Sequence, residues 1–214
     1  MPTLLRLTIS LYLMFFLLHA QADVDPRKLI KVTKDNNPSC VEYYTYKGGL
    51  YCSIAVQNTA PMNPEIKNYE TQKITFDHRP WKVVFGKRTE EITVVEYVPA
   101  DDNIEHWQEL VTSQFIPGLQ TRVTIKQYID SIINNLKESG FKPTVTIIEE
   151  TPEQALFEFR IANPKNMQQD ELQLVTKGKD GFYILHYVIR KADMGQSNRE
   201  KWVALLKKTK PKYD

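Results

Sequence analysis

The chain has 214 residues, with 28 Lys and Arg against 26 Asp and Glu, for a formal net charge of +2. Acidic and basic side chains are interspersed rather than blocked, which excludes the electrostatic footprint of a nucleic-acid binder. The length suits one domain with an extension, and the Lys-rich end from Lys207 to Lys212 reads as the solvated end of a helix.

Residues 1–22 read as a cleavable secretory signal peptide. Arg6 precedes an apolar stretch from Leu7 to Leu18, and Ala20-Gln21-Ala22 offers a small-x-small cleavage pattern before Asp23. A spanning helix needs about 20 predominantly apolar residues. This stretch is shorter, contains Thr8 and Ser10, and runs into polar sequence. The mature protein is therefore expected to be soluble, periplasmic or secreted, with no membrane anchor after cleavage. The proline in Asn37-Pro38-Ser39 blocks the glycosylation sequon there, which tilts the source towards bacteria.

Residues 23–72 read as an N-terminal extension, punctuated by Pro38, Pro61 and Pro64. Inside it, β-branched and aromatic residues flank Lys47-Gly48-Gly49, a hairpin signal with a glycine turn. Cys40 and Cys52 belong to the same region, and paired thiols oxidise outside the cytoplasm. A Cys40–Cys52 disulfide stapling the hairpin is expected, contributing about 2–4 kcal/mol. The alternatives are a metal pair, which needs further ligands close by, and a nucleophilic Cys, which needs a nearby His. Tyr43, Tyr44, Tyr46 and Tyr51 crowd the hairpin; Tyr joins a large apolar body to a polar tip, as interfaces favour. They are a possible partner surface. Packing of the hairpin onto the main domain explains the same residues, since an isolated hairpin is marginal in water.

Residues 73–208 read as the main domain and 209–214 as a tail. Lys73 to Asp77 predicts a strand, and Trp81–Phe85 with Ile92–Val98 an antiparallel pair. Asp102 three residues before Glu105 resembles a capping box, and Ile104, Trp107, Leu110, Val111 and Phe115 follow at helical spacing, ended by Pro117-Gly118. A second helix starts at the cap Thr124, carries Ile125, Tyr128, Ile129, Ile132, Ile133 and Leu136 as one stripe, and stops at Gly140.

After Pro143 the period becomes two. Residues 144–150 and 155–162 predict strands with at least one buried face, and Gly178 to Gly181 the turn of a hairpin. In its second arm Phe182, Ile184, His186 and Val188 alternate with Tyr183, Leu185, Tyr187 and Ile189, so both faces are apolar and the strand is central. Ser197 before Glu200 predicts the cap of a last helix containing Trp202, Val203, Leu205 and Leu206. The expected fold class is α+β, a mainly antiparallel sheet sandwiched between helices.

Trp81 starting a strand, the passage EYVPADDNIEHWQELVTSQF with Trp107 read as helical, and the closing hairpin plus helix ending at Trp202 together resemble the PsbP-like, Mog-type α/β/α sandwich over residues 73–208. The resemblance rests on element order and aromatic placement. It implies a binding or accessory protein without catalytic residues, and names no ligand.

The chemistry-bearing residues fit that expectation. His78, His106 and His186 are not at metal-ligand spacing. His186 falls inside an apolar strand face and reads as a hydrogen-bonded core histidine, His106 as a surface residue, and His78 as part of a turn. G-x-S-x-G, P-loop and G-x-G-x-x-G signatures are absent. Glu90-Glu91 and Glu149-Glu150 read as solvated, because neighbouring strand residues point to opposite faces. No catalytic, cofactor or metal site is expected, and the partner is an unknown protein or small ligand rather than nucleic acid. The competing readings are a secreted enzyme with a site assembled from scattered His, Cys and acidic residues, and a secreted virulence or envelope factor.

Overall fold

The structure, a computed structural model, describes residues 29–31, 42–46, 49–53 and 64–212. The chain divides into two compact units, Met1–Pro61 and Met62–Asp214. The signal segment 1–22 and Cys40 lie outside the described residues. Among those described, no helix is long and apolar enough to cross a membrane.

In the first unit, β2 (Glu42–Tyr46) and β3 (Gly49–Ser53) form the expected antiparallel hairpin, and β1 (Ile30–Lys31) adds on the other side of β3. The register sets Tyr44 opposite Tyr51, Tyr46 opposite Gly49, and Tyr43 opposite Cys52. Tyr44 and Tyr51 are thus the one aromatic pair directly opposed along the described ladder.

The second unit is built on a seven-stranded sheet of β5 (Trp81–Arg88), β6 (Thr93–Pro99), β7 (Glu109–Pro117), β8 (Thr144–Glu150), β9 (Gln154–Ile161), β10 (Gln169–Lys177) and β11 (Gly181–Ile189). The strands lie in the order β5-β6-β7-β11-β10-β9-β8, and every pair is antiparallel. Two helices complete the unit, α1 (Ile125–Glu138) and α2 (Gln196–Leu206). The fold is α+β and dominated by an antiparallel sheet.

The helix α1 forms where the pattern predicts it. Thr124 Oγ1 accepts from Gln127 N at 3.1 Å while Gln127 Oε1 accepts from Thr124 N at 2.9 Å, satisfying two of the free donors at the helix start. Its buried stripe is Ile125, Tyr128, Ile129, Ile132 and Leu136, and Gly140 ends it at φ +88. Tyr128 meets Phe182 of β11 edge-on, with ring centroids 5.9 Å apart. On the alternate residues of β11, Trp202 of α2 stacks on Tyr187 at 3.9 Å and meets Trp81 edge-on at 5.5 Å. Val111, Leu156, Leu172, Leu174, Leu185 and Ile189 complete that core.

Four sequence expectations are corrected. The segment expected as a helix from Asp102 is a turn followed by the strand β7. Asp102 and Asn103 do accept backbone N–H groups, but from Gln108 at 2.7 Å and from Glu105 and His106, within the turn. From Glu109 onward the backbone is taken up by ladders to β6 and β11 on both sides, and that pairing outweighs the local helical spacing. Trp107 is consequently half-buried in the turn, with the Arg190 guanidinium 4.3 Å above its ring. The strand expected at Lys73–Asp77 shrinks to β4 (Gln72–Lys73), which pairs with β12 (Lys210–Pro211). The cap of α2 is Gly195 at φ +79, not Ser197, and no side chain caps it. Finally, β8 is a largely exposed edge, with Ile147 44% and Ile148 36% exposed, where a buried face was expected. The opposite edge is covered: the 3-10 helix Pro64–Tyr69 lays Ile66 over Gly86 of β5, so closely that a Cβ there would sit 2.2 Å from Ile66 Cγ2.

Candidate functional site

The sheet face that carries Phe182, Ile184, His186 and Val188 holds a row of polar side chains. The registers set Gln173 opposite His186, His186 opposite Thr112, and Thr112 opposite Glu96, crossing β10, β11, β7 and β6 in one line. Directly opposed residues share a face with Cβ atoms about 4.5–5.5 Å apart, so the four form a continuous strip. All are buried: Gln173 is 1% exposed, His186 4%, Thr112 6% and Glu96 8%. Apolar rows flank the strip. Val94, Ile184 and Val175 lie on one side with Gln114 among them, and Val98, Leu110 and Val188 on the other.

Glu171, two residues along β10 from Gln173, organises one end. Its Oε1 accepts from His186 Nδ1 at 2.6 Å and from Gln173 Nε2 at 2.6 Å, and its Oε2 from Gln169 Nε2 at 2.5 Å. An ionised carboxylate only accepts, so these contacts fix both the proton on His186 Nδ1 and the orientation of the Gln173 amide. The opposite atoms then point away from Glu171. His186 Nε2, Gln173 Oε1 and Gln114 Oε1 are buried without a hydrogen-bond partner among the described residues, as is the Tyr128 hydroxyl of α1. Burial, with the Glu171 charge nearby, raises the Tyr128 hydroxyl above its ordinary range. At the far end, burial pushes the Glu96 carboxyl up to about 7. A buried polar atom left unpaired costs about 1–3 kcal/mol, so several on one face call for a reason.

The other face has polar networks of a different character. Arg79 donates to both oxygens of Glu109 at 2.8 and 2.7 Å, and Tyr187 Oη donates to Glu109 while accepting from Asn198. Although burial works against it, hydrogen bonds from Arg79, Trp81 and Lys201 hold Asp77 well below the usual carboxylate range. This network pins α2 to the sheet, although on the same side Trp202 Nε1 and Asp170 Oδ1 are buried without a hydrogen-bond partner among the described residues. A depression of about 390 Å³ at the start of α2 is lined by Met194, Gly195, Gln196, Ser197, Asn198 and Lys201, but its Asn and Lys are committed to Tyr187 and Asp77. Arg199 bridges Glu158 and Asp193, and Asp170 Oδ2 receives Met194 N at 2.6 Å. Burial, with Glu158 beside it, pushes the Asp170 carboxyl up.

His186 is the buried, hydrogen-bonded residue that strand periodicity predicts. His78 is exposed in a bend and His106 exposed in the turn, so the three histidines do not converge. Glu90, Glu91, Glu149 and Glu150 are exposed, with Glu149 paired to Lys207. Cys40 falls outside the described residues, so the Cys40–Cys52 pairing does too. Of the hairpin tyrosines, Tyr51 is half-buried. Sequence reasoning missed Glu171, Gln173, Thr112, Gln114 and Glu96. One signal was available: β11 reads as covered on both faces, which obliges the polar alternation of its neighbour β10, Glu171-Leu172-Gln173-Leu174, to be buried as well. Among the described residues, no group of three or more His, Cys, Asp and Glu is placed to hold a metal ion. No curated protein matches the chain in sequence. A protein-family model matches residues 70–213, which takes in the whole polar strip, and the chain belongs to that uncharacterised family.

Proposed function

We propose that this is an exported, non-catalytic binding or accessory protein whose ligand is received by the polar strip around His186. The observation that carries the reading is the set of buried atoms without a hydrogen-bond partner among the described residues there, His186 Nε2, Gln173 Oε1 and Gln114 Oε1, in a polar strip flanked by rows that are mostly Val, Ile and Leu. Fixed polar groups within an apolar surround are the usual make-up of a small-ligand site. The export of the chain rests on residues 1–22, and the disulfide-stapled extension on Cys40 and Cys52. The PsbP-like, layered form of the domain rests on α2 packing on the Tyr187 side of β11 and α1 on the Phe182 side, and on the closing hairpin plus helix. The strand-to-helix passage that suggested the same relation is a strand-turn-strand and lends it no support.

An NMR screen of small polar compounds against ¹⁵N-labelled protein tests the binding role. Saturable shifts confined to amides near Glu96, Thr112, Gln173 and His186 are expected. A screen in which no compound moves these amides, while variants of the strip keep full partner capture, refutes it. The Glu171–His186 pair also favours a second reading, in which Nε2 acts as general base in an enzyme. Turnover lost in a folded His186→Gln protein would favour that reading over the first.

A further inference from the structure

We infer that the open edge strand β8 pairs, antiparallel and across a two-fold axis, with β8 of a second copy of this chain. The two edges of the seven-stranded sheet differ. The 3-10 helix Pro64–Tyr69 lies against β5, with Ile66 over Gly86, whereas among the described residues no strand pairs with the outer side of β8. Every residue of β8 except the half-buried Val145 is exposed, Ile147 and Ile148 included. Such a strand offers a row of unpaired backbone N–H and C=O groups, which natural sheets blunt with charges or proline. Here Lys142 and Pro143 stand before the strand and Glu149 and Glu150 at its end. Thr144 to Ile148 between them are uncharged and all β-branched, the composition that favours strand pairing.

The charges decide the occupant. The edge is basic at its start and acidic at its end, so it is its own complement only when the copy runs antiparallel. Centred on Thr146, the two-fold sets Val145 opposite Ile147 of the second copy and brings Lys142 beside that copy's Glu149 and Glu150, once at each end. A parallel copy would set lysine against lysine and glutamate against glutamate. Glu149 is already held by Lys207. Lys142 and Glu150 are exposed and have no ion pair among the described residues, so the pair left to form is Lys142 with Glu150. Apolar contact follows the same axis. In the ladder to β9, Val145 and Ile147 stand opposite Phe159 and Phe157, both buried, and the meeting of Val145 with Ile147 carries that apolar row on across the axis. The register to β9 slips between Ile147 and Glu149, which confines regular pairing to a few residues about Thr146 and makes the dimer a weak one.

The test is sedimentation velocity of the intact chain from micromolar to submillimolar concentration, with hydrogen exchange read at both extremes. A reversible dimer is expected, with the amides from Thr144 to Ile148 exchanging more slowly at high concentration. Ile147→Lys, at an exposed position, should weaken the dimer at least tenfold. Lys142→Glu and Glu150→Lys should each weaken it about tenfold, since each sets like charges together at both ends of the pairing. Mixed in equal amounts, these two charge variants should associate as tightly as the natural chain, because each supplies at both ends the charge that the other lacks. Circular dichroism checks that every variant is folded, and if Ile147→Lys is not, the charge variants decide. A natural chain that stays monomeric throughout the range overturns the proposal. So does a dimer that none of the substitutions weakens, whose interface lies elsewhere, and so does a mixture that associates no better than its components.

Discussion

Replacing Glu171 by Leu removes the acceptor on which the polar strip is organised. Two donors, His186 Nδ1–H and Gln173 Nε2–H, lose their partner in a site where both residues are almost fully buried. Gln169 is half-buried and can turn to water, so it adds little. At about 1–3 kcal/mol for each orphaned donor, the single variant should lose about 4 kcal/mol. Replacing all three partners together, Glu171→Leu, Gln173→Leu and His186→Leu, exchanges the network for apolar groups of similar volume and should be neutral or stabilising relative to the natural chain. Urea unfolding followed by circular dichroism measures both, with the slope checked for constancy. The reasoning fails if the single variant stays within about 1 kcal/mol of the natural protein, since the donors would then have other partners. It fails equally if the triple variant is the least stable of the set. A triple variant that is stable but has lost ligand binding would show that the strip is kept for recognition at the expense of stability.

Glu96 is held near 7 by burial, above its ordinary 4.5, so the native state keeps that proton more tightly. Its contribution is complete below about pH 4.5 and disappears as pH rises through 7, with a ceiling on the order of 3 kcal/mol. Thermal midpoints taken from pH 5 to 8 should decline, and Glu96→Gln should flatten the decline, leaving the part of the same sign due to Asp170; an unchanged slope would remove Glu96 from the account. Ile129→Ala, at a position 3% exposed in the α1 stripe, should cost about 2–5 kcal/mol, and Trp107→Ala, half-buried in its turn, about half as much; equal losses in urea unfolding would contradict the burial difference. Non-reducing peptide mapping of exported protein should link Cys40 to Cys52, and free thiols would exclude the bridge. Mass spectrometry of the same material should find its first residue at Asp23, and a membrane-bound species retaining Leu7 to Leu18 would exclude cleavage.

The helix α1 was legible because every local cue agreed: cap, stripe, and terminating glycine. The hairpins at Gly48 and Gly178 were legible for the same reason. The strand β7 was not, and the cause is instructive. Thr112, Ser113 and Gln114 interrupt its apolar pattern, and a reader of sequence assigns polar residues to solvent. In the fold all three are buried. Ser113 donates to Glu70 at 2.7 Å, while Thr112 and Gln114 serve the polar strip. The residues that hid the strand are thus largely those of the candidate site, and the misread element and the missed site have one origin. The strip itself was out of reach, because only the registers of four strands far apart in sequence bring Glu96, Thr112, Gln173 and His186 into line.

The pairing of β4 with β12 joins the two ends of the family-matched unit. Lys73 lies opposite Lys210 and Gln72 opposite Pro211, and Lys212 reaches back to Thr71 O and Glu70 O. A pull applied through both ends therefore bears first on this two-residue clasp, which opens one bond at a time while the seven-stranded sheet stays unloaded. The clasp acts as a mechanical fuse. Because the ends already touch, a short linker could close the unit into a ring and new termini could be cut at the exposed Lys179-Asp180 turn, leaving the order of strands in the sheet as it is.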